Sequence, residues 1–337
     1  MKFLVTLTLT VILANSFAQP PNFTIKYIPL PEELAYYDNQ FSGLYIQNNT
    51  LYLLSESRLQ DAREAKIYSI AITDLNTKIA DTNFAMPYKK YPIINLDKLR
   101  DRMYELGDEY EGLEAIVING AEVYFTVETA TPSNNCYLIK GILNDTAIDM
   151  DLKVLIPLPK PNTKDNKHIY NAGFEGLAIV EDELLAFFEY NNFADKNIVV
   201  SLTPTTYRDV FIKLPTVDKL PFRLTDITQT GKNTFTAINY FYKGDGEDEV
   251  YRVPKTDKAN DKLIRDGFGY KSYTRLVKLT YKKNKFTWEP LWQLPFEYMS
   301  YNWEGIAAHN NGYFILNDKY TPARPYKSTL LYLKPIP

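Results

Sequence analysis

Residues 110–116 read YEGLEAI, residues 174–180 read FEGLAIV and residues 303–309 read WEGIAAH. Each places glutamate and glycine at the head of a short apolar run. In each case a turn follows, and then a second apolar run that ends in an acid. EGLEAIVINGAEVYFTVE closes on Glu128, EGLAIVEDELLAFFE on Glu189 and EGIAAHNNGYFILND on Asp318. Short β-branched or aromatic runs broken by Asn, Gly and Asp are a strand-and-turn pattern. Two weaker copies share the layout without the head carboxylate: SGLYIQNNTLYLLSE from Ser42 and TDITQTGKNTFTAIN from Thr225.

More strands follow each copy, such as KIYSIAI after Glu56 and CYLIKGI after Glu128. Repeats of about 50 to 80 residues, each a four-strand meander, are the mark of a β-propeller. The last strand of several units ends in Leu-Pro, at Leu158–Pro159, Leu214–Pro215 and Leu294–Pro295. Proline cannot donate to a ladder, so it suits an outer strand. The final unit is one strand short, and the segment TIKYIPLP (residues 24–31) carries the same ending. The expectation is an all-β, β-propeller fold of five blades, its ring closed by this N-terminal strand joining the last blade. A sixth blade would have to come from the 70–100 region or the 242–271 insertion. Helical periodicity is confined to DKLRDRMYE, residues 97–105.

The chain's 337 residues are 45% hydrophobic, enough for a substantial core, and 27 tyrosines favour strands. A formal charge of −3 offers no basic excess for a nucleic-acid partner. Cys136 is the only cysteine, so no internal disulfide and no cysteine-rich zinc site can form. Lys2, the apolar stretch 3–14 and the small residues Ser16 and Ala18 read as a signal peptide over residues 1–18. Residues 19–337 then form a single propeller domain, secreted or periplasmic. No later segment approaches the roughly 20 apolar residues of a membrane span. A monomer is expected.

In an antiparallel hairpin the start of one strand lies beside the end of the next. The heads Glu111, Glu175 and Glu304 should therefore gather with Glu189, Asn239 and Asp318 at one mouth of the channel. Carboxylates brought together repel, and a hard cation relieves that repulsion. Calcium, which takes six to eight oxygen ligands, is the expected ion, with these six residues as candidate ligands. Alternatively, the glycines serve a bulge or a close backbone approach, and the glutamates bind no metal. Glu111 and Glu175 are also catalytic candidates, with His168 as a possible base in the loop before Glu175. Arg102, Lys167, Arg223, Tyr240 and Trp303 are candidate substrate contacts. The expected ligand is a small-molecule ester or phosphoester. The alternative is a binding module for a glycan, peptide or surface partner.

The heads Glu111–Gly112, Glu175–Gly176 and Glu304–Gly305, closed by Glu128, Glu189 and Asp318, resemble the phytase-like propellers, also called esterase-like activity of phytase. They are similar too to the calcium-bearing funnels of the SMP-30 or lactonase type. This resemblance implies an exported, calcium-bound propeller that hydrolyses an ester or phosphoester.

Overall fold

A computed structural model describes residues 22–59, 64–193, 197–202, 212–244, 247–318 and 327–336. The signal-peptide expectation lies outside these residues. The described chain is all-β in its core and propeller-like in architecture. Its strands form five antiparallel meanders. The first comprises Phe41–Gln47, Thr50–Ser55, Lys66–Ala71 and Lys89–Ile94; the second Tyr110–Asn119, Glu122–Thr129, Asn135–Leu143 and Ile148–Pro159. The third runs through Gly176–Val180, Glu183–Phe187, Val199–Leu202 and Ile212–Lys213, and the fourth through Leu220–Gly231, Thr234–Phe241, Tyr273–Lys282 and Lys285–Gln293. In the fifth, Trp303–His309, Gly312–Asn317 and Leu330–Pro335 are completed by Phe23–Ile28, which pairs antiparallel with Leu330–Pro335.

Sequence dictates the hairpins locally. Asn48 and Asn49 both have positive φ, as do Asn310 and Asn311, and asparagine tolerates that region best after glycine. Between the two turns' flanking strands, Leu44 faces Leu53 and Ile306 faces Ile315, so apolar side chains meet across each pair. The first strand of each meander lies beside the first strand of the next, in the order Phe41–Gln47, Tyr110–Asn119, Gly176–Val180, Leu220–Gly231 and Trp303–His309. The last of these returns to Phe41–Gln47.

Four of the five repeated heads are β-bulges, and the fifth, Glu175, directly precedes its strand. Ser42, Glu111, Thr225 and Glu304 are each an extra residue that the partner strand does not match. A bulge leaves its residue unpaired and re-aims its side chain. The glycine that follows lets neighbouring inner strands approach. A Cβ on Gly305 would lie 2.7 Å from Leu44 Cγ, and one on Gly176 would lie 2.8 Å from Leu224 Cδ2. The close approach that glycine allows is therefore structural. In the two heads without a carboxylate, a hydroxyl ties adjacent meanders instead. Ser42 Oγ donates to the Leu113 carbonyl and Thr225 Oγ1 to the Trp303 carbonyl, both at 2.6 Å.

Asp226 occupies the glycine position of the fourth head. It is almost fully buried, and its carboxyl accepts from the amides of Ile306 and Ile227 at 2.7 Å and of Leu44 at 3.3 Å. Three meanders thus meet on one side chain. Burial pushes its proton affinity up, while the three amides pull it down.

The expected helix is present as Leu96–Glu105, with Leu96, Leu99 and Met103 buried. A second, Ile72–Ala80, was not expected, because ITDLNTKIA is rich in β-branched residues that weaken helix propensity. Its buried Ile72 and Leu75 stand one turn apart on the face packed against the first meander. The 70–100 region thus yields these helices and the fourth strand of the first meander. The 242–271 insertion holds the short helix Lys258–Ile264 and a two-residue hairpin.

Replacing Asp226 with Ala would leave three buried amides without an acceptor, each costing about 1–3 kcal/mol. We expect the thermal midpoint to fall by at least about 8 °C. An unchanged midpoint would show that the clasp contributes nothing.

Candidate functional site

The bulged heads and the ends of the second strands meet at one face of the inner ring. Glu111, Glu175 and Glu304 are half-buried there, while Glu128 and Glu189 lie buried beneath. Their convergence is visible in their mutual electrostatics. Glu175 feels the charges of Glu189, Glu304 and Glu128, and Glu128 those of Glu189, Glu111 and Glu56. Glu304 is pressed by Asp318 and Glu56.

Sequence reasoning missed two members of this cluster. Glu114 sits in a second bulge of the same strand, between Leu113 and Ala115, and is 7% exposed. It feels Glu128, Glu56, Glu175 and Glu304 together. The available signal was a charged residue inside the apolar run EGLEAIVI, where the other heads have none. Glu56 closes the first hairpin and reaches across the second head, so that a Cβ on Gly112 would meet its Cγ at 2.5 Å. Arg58 pairs with Glu56 at 3.1 Å.

The fourth meander contributes a cation instead. Arg223 Nε stands 3.4 Å from Glu189 Oε2, and its guanidinium lies 4.2 Å from the ring centre of Tyr251. Tyr251, from the insertion, donates its hydroxyl to Glu189 Oε1 at 2.7 Å. Tyr240 is buried close by, within reach of the charges on Arg223 and Glu304. Lys160, below the second meander's hairpin, donates to the carbonyls of Thr129 and Ala130 and eases the charge on Glu128.

Several expected site residues have other duties. The amide of Asn239 donates to the Pro221 and Arg223 carbonyls, at 2.8 and 2.9 Å, and accepts from Arg275 Nε at 2.8 Å. Its register explains this. Asn239 pairs with the residue before the bulge, as do Ser55, Thr129 and Asn317, whereas Glu56 and Asp318 come later on their strands. Trp303 is fully buried, stacked on Tyr301 with centroids 5.2 Å apart, and donates to the Tyr298 carbonyl; it is core, not a rim platform. Arg102 donates to the Leu152 carbonyl on the outermost strand of the second meander. Lys167 is exposed in a turn whose backbone bonds to Thr163. His168 lies beside Asn134, with Nε2 3.5 Å from its Oδ1. Among the described residues no group of three acidic, histidine or cysteine side chains is spaced to hold a metal ion.

Burial raises the proton affinity of Glu114, Glu128, Glu175 and Glu304 well above the usual carboxylate range, and their like-charged neighbours add to it. Arg223 opposes the rise at Glu175 and Glu304. Glu175 Oε2 and Glu128 Oε1 are buried without a hydrogen-bond partner. Like charges so placed oppose one another's ionisation, so the cluster binds protons more tightly than free carboxylates do.

These carboxyls bind protons more tightly in the folded chain than in the unfolded one. Their contribution to stability is complete below the unfolded value of about 4.3 and is lost as pH rises through the folded values. Without added divalent cations, the thermal midpoint should fall by at least about 4 °C between about pH 5 and about pH 8. Glu114→Gln should flatten that fall. A midpoint that rises over the same range would contradict the arrangement.

No protein-family model matches the chain, and no curated protein matches it. Solved structures resemble its fold at low identity. The exo-beta-1,3-galactanase of Phanerochaete chrysosporium, solved with beta-1,3-galactotriose, superposes with a TM-score of 0.50 and 8% identity, over 94% of this chain and 64% of that one. An exo-1,5-alpha-L-arabinanase from a bovine ruminal metagenomic library gives 0.46 and 10%, over 89% and 99%. A putative glucose dehydrogenase of Thermus thermophilus gives 0.47 and 10%, over 93% and 100%. These findings correct the expected resemblance: the fold is like that of the galactanase, not of a phytase-like, esterase-like or SMP-30-type calcium propeller. Likeness at this identity speaks for the fold alone.

Proposed function

We propose that the chain is a five-bladed propeller, closed by its N-terminal strand, that hydrolyses a glycosidic bond at its acidic mouth. The observation that carries this reading is Glu175, a half-buried carboxyl at the mouth whose Oε2 has no hydrogen-bond partner and whose proton affinity is raised by its burial and by Glu189 and Glu304. Glycoside hydrolysis uses two carboxyl groups, one to protonate the leaving oxygen and one to act as base or nucleophile. In this scheme Glu175 gives its proton to the departing glycosidic oxygen as the bond from the anomeric carbon breaks. Glu111, on the neighbouring head, takes a proton from the water whose oxygen forms the new bond to that carbon. Glu114 and Glu128, buried beneath, hold the mouth's proton balance without reaching substrate.

The acidic surroundings favour a neutral sugar over the expected phosphoester, whose charge they would repel. The fold likeness to the galactanase solved with beta-1,3-galactotriose supports a glycan as the first substrate class to test. His168, held near Asn134, has no assigned part in this chemistry. Export through residues 1–18 belongs to the same reading, since a polysaccharide substrate lies outside the cell.

Glu175→Gln should reduce turnover of galacto-oligosaccharides by at least about 100-fold with little loss of binding, the range expected for removing a general acid. Glu111→Gln should do the same. If both variants keep wild-type turnover, the assignment falls. Sugar binding without turnover in the wild type would make this mouth a recognition site.

A second reading keeps a divalent cation, calcium, among these carboxylates. The orphaned oxygens of Glu128 and Glu175 favour it; the fixed bonds of Asn239, and the lack among the described residues of three such side chains placed to share an ion, do not. Calcium titration separates the two. A midpoint raised by millimolar calcium and returned by chelator supports the ion, and an unmoved midpoint removes it.

A further inference from the structure

Beside the mouth lies a cavity of about 670 Å³, between the 242–271 insertion and the turn at residues 296–300. That volume lies within the range of sites that enclose small ligands. Its lining is charged in a way opposite to the mouth. Lys243, Lys262 and Lys271 border it, and among the described residues none of their ammonium groups is hydrogen-bonded or ion-paired. The one acid that lines it, Asp266, turns its carboxylate to the amide of Phe268 at 2.8 Å. Two guanidinium groups pack on Tyr270, which also lines the cavity. Arg252 and Arg265 lie 4.4 and 4.2 Å from the ring centre of Tyr270, and Arg265 donates to the Tyr270 hydroxyl at 2.6 Å. Arg265 is also held by Asp261 at 2.7 Å. Tyr270 is thereby fixed, and the cavity wall with it. Phe296 adds an exposed ring, 87% open, on the opposite side.

The cavity and the mouth share a wall. Ser272 lines the cavity and lies near Tyr240, which is buried within reach of the charges on Glu304 and Arg223. An acidic sugar seated in the cavity would therefore meet the lysines and not the carboxylates of the mouth. A ring for stacking, unpaired ammonium groups and hydroxyl and amide side chains are the means by which proteins hold a charged sugar.

We propose that this cavity is a binding site for an acidic sugar unit, its carboxylate held by Lys243, Lys262 and Lys271 and its apolar face laid on Phe296. The choice of a saccharide over another anion rests on the glycan reading of the adjoining mouth. The anion preference rests on the lysines alone.

The test uses the full chain carrying Glu175→Gln, so that binding is read without turnover. Calorimetric titration with trigalacturonate should show binding at least about tenfold tighter than with neutral galactotriose, a difference of about 1.4 kcal/mol. Adding Lys262→Gln and Lys271→Gln should remove at least about tenfold of the trigalacturonate affinity and leave that for galactotriose unchanged. Phe296→Ala, at an exposed position that should not affect folding, should weaken trigalacturonate binding as well. Equal affinity for the two probes, or a lysine variant that binds trigalacturonate as its parent does, would overturn the proposal. So would no binding of trigalacturonate. Trigalacturonate binding in a protein whose wild type cleaves no sugar would sink the hydrolase assignment and leave this site standing.

Discussion

Carboxyl groups packed together at one face of a propeller-like fold oppose one another's ionisation, and much of this structure follows from that constraint. Burial and one another's proximity raise the proton affinity of four glutamates. The arrangement costs stability at neutral pH, because each ionisation is opposed by the next. Such expense is characteristic of a functional site, where proton affinities are set by environment. Here the environment is the ring itself: inner strands packed closely enough that a glycine follows the head residue in four of the five meanders.

Each meander adds something different to the common face. The first brings Glu56, the second Glu111, Glu114 and Glu128, the third Glu175 and Glu189, and the fifth Glu304 and Asp318. The fourth supplies Arg223, and its acid, Asp226, is spent on backbone amides of three meanders. The substitution of Asp for Gly at that head therefore exchanges close approach for a clasp. Hydroxyl heads at Ser42 and Thr225 make the same kind of tie to a neighbouring carbonyl. The sites of chemistry and the joints of the ring are variations on one bulged position.

Much of this was legible in the sequence, because the repeat is local. Glu-Gly at the head of an apolar run, an Asn-rich turn and an acid at the far end define a hairpin without any long-range information. Stacking such hairpins side by side sets Glu175 near Glu304 and Glu128, and Glu111 near Glu128. What could not be read depends on register and on tertiary packing. Asn239 and Glu189 look alike in the sequence, yet they sit at different steps past the bulge, and a one-residue step turns a strand side chain to the opposite face. Glu114 needed a second bulge that no spacing announces. Trp303 and Tyr301 look like rim aromatics until the turn at residues 296–300 folds over them. Helix Ile72–Ala80 is made by packing against the first meander, against its own propensity.

The fold does not choose between catalysis and recognition. Glutamates of raised proton affinity at a partly open mouth are the feature that favours catalysis, and that cluster is therefore the claim to test directly. Carbon-13 NMR titration of the glutamate side-chain carboxyls, with Glu→Gln variants for assignment, reads each proton in place. The account predicts that Glu114, Glu128, Glu175 and Glu304 titrate well above the usual range, and that removing one lowers the others. Independent titration of all four near about 4.3 would contradict it.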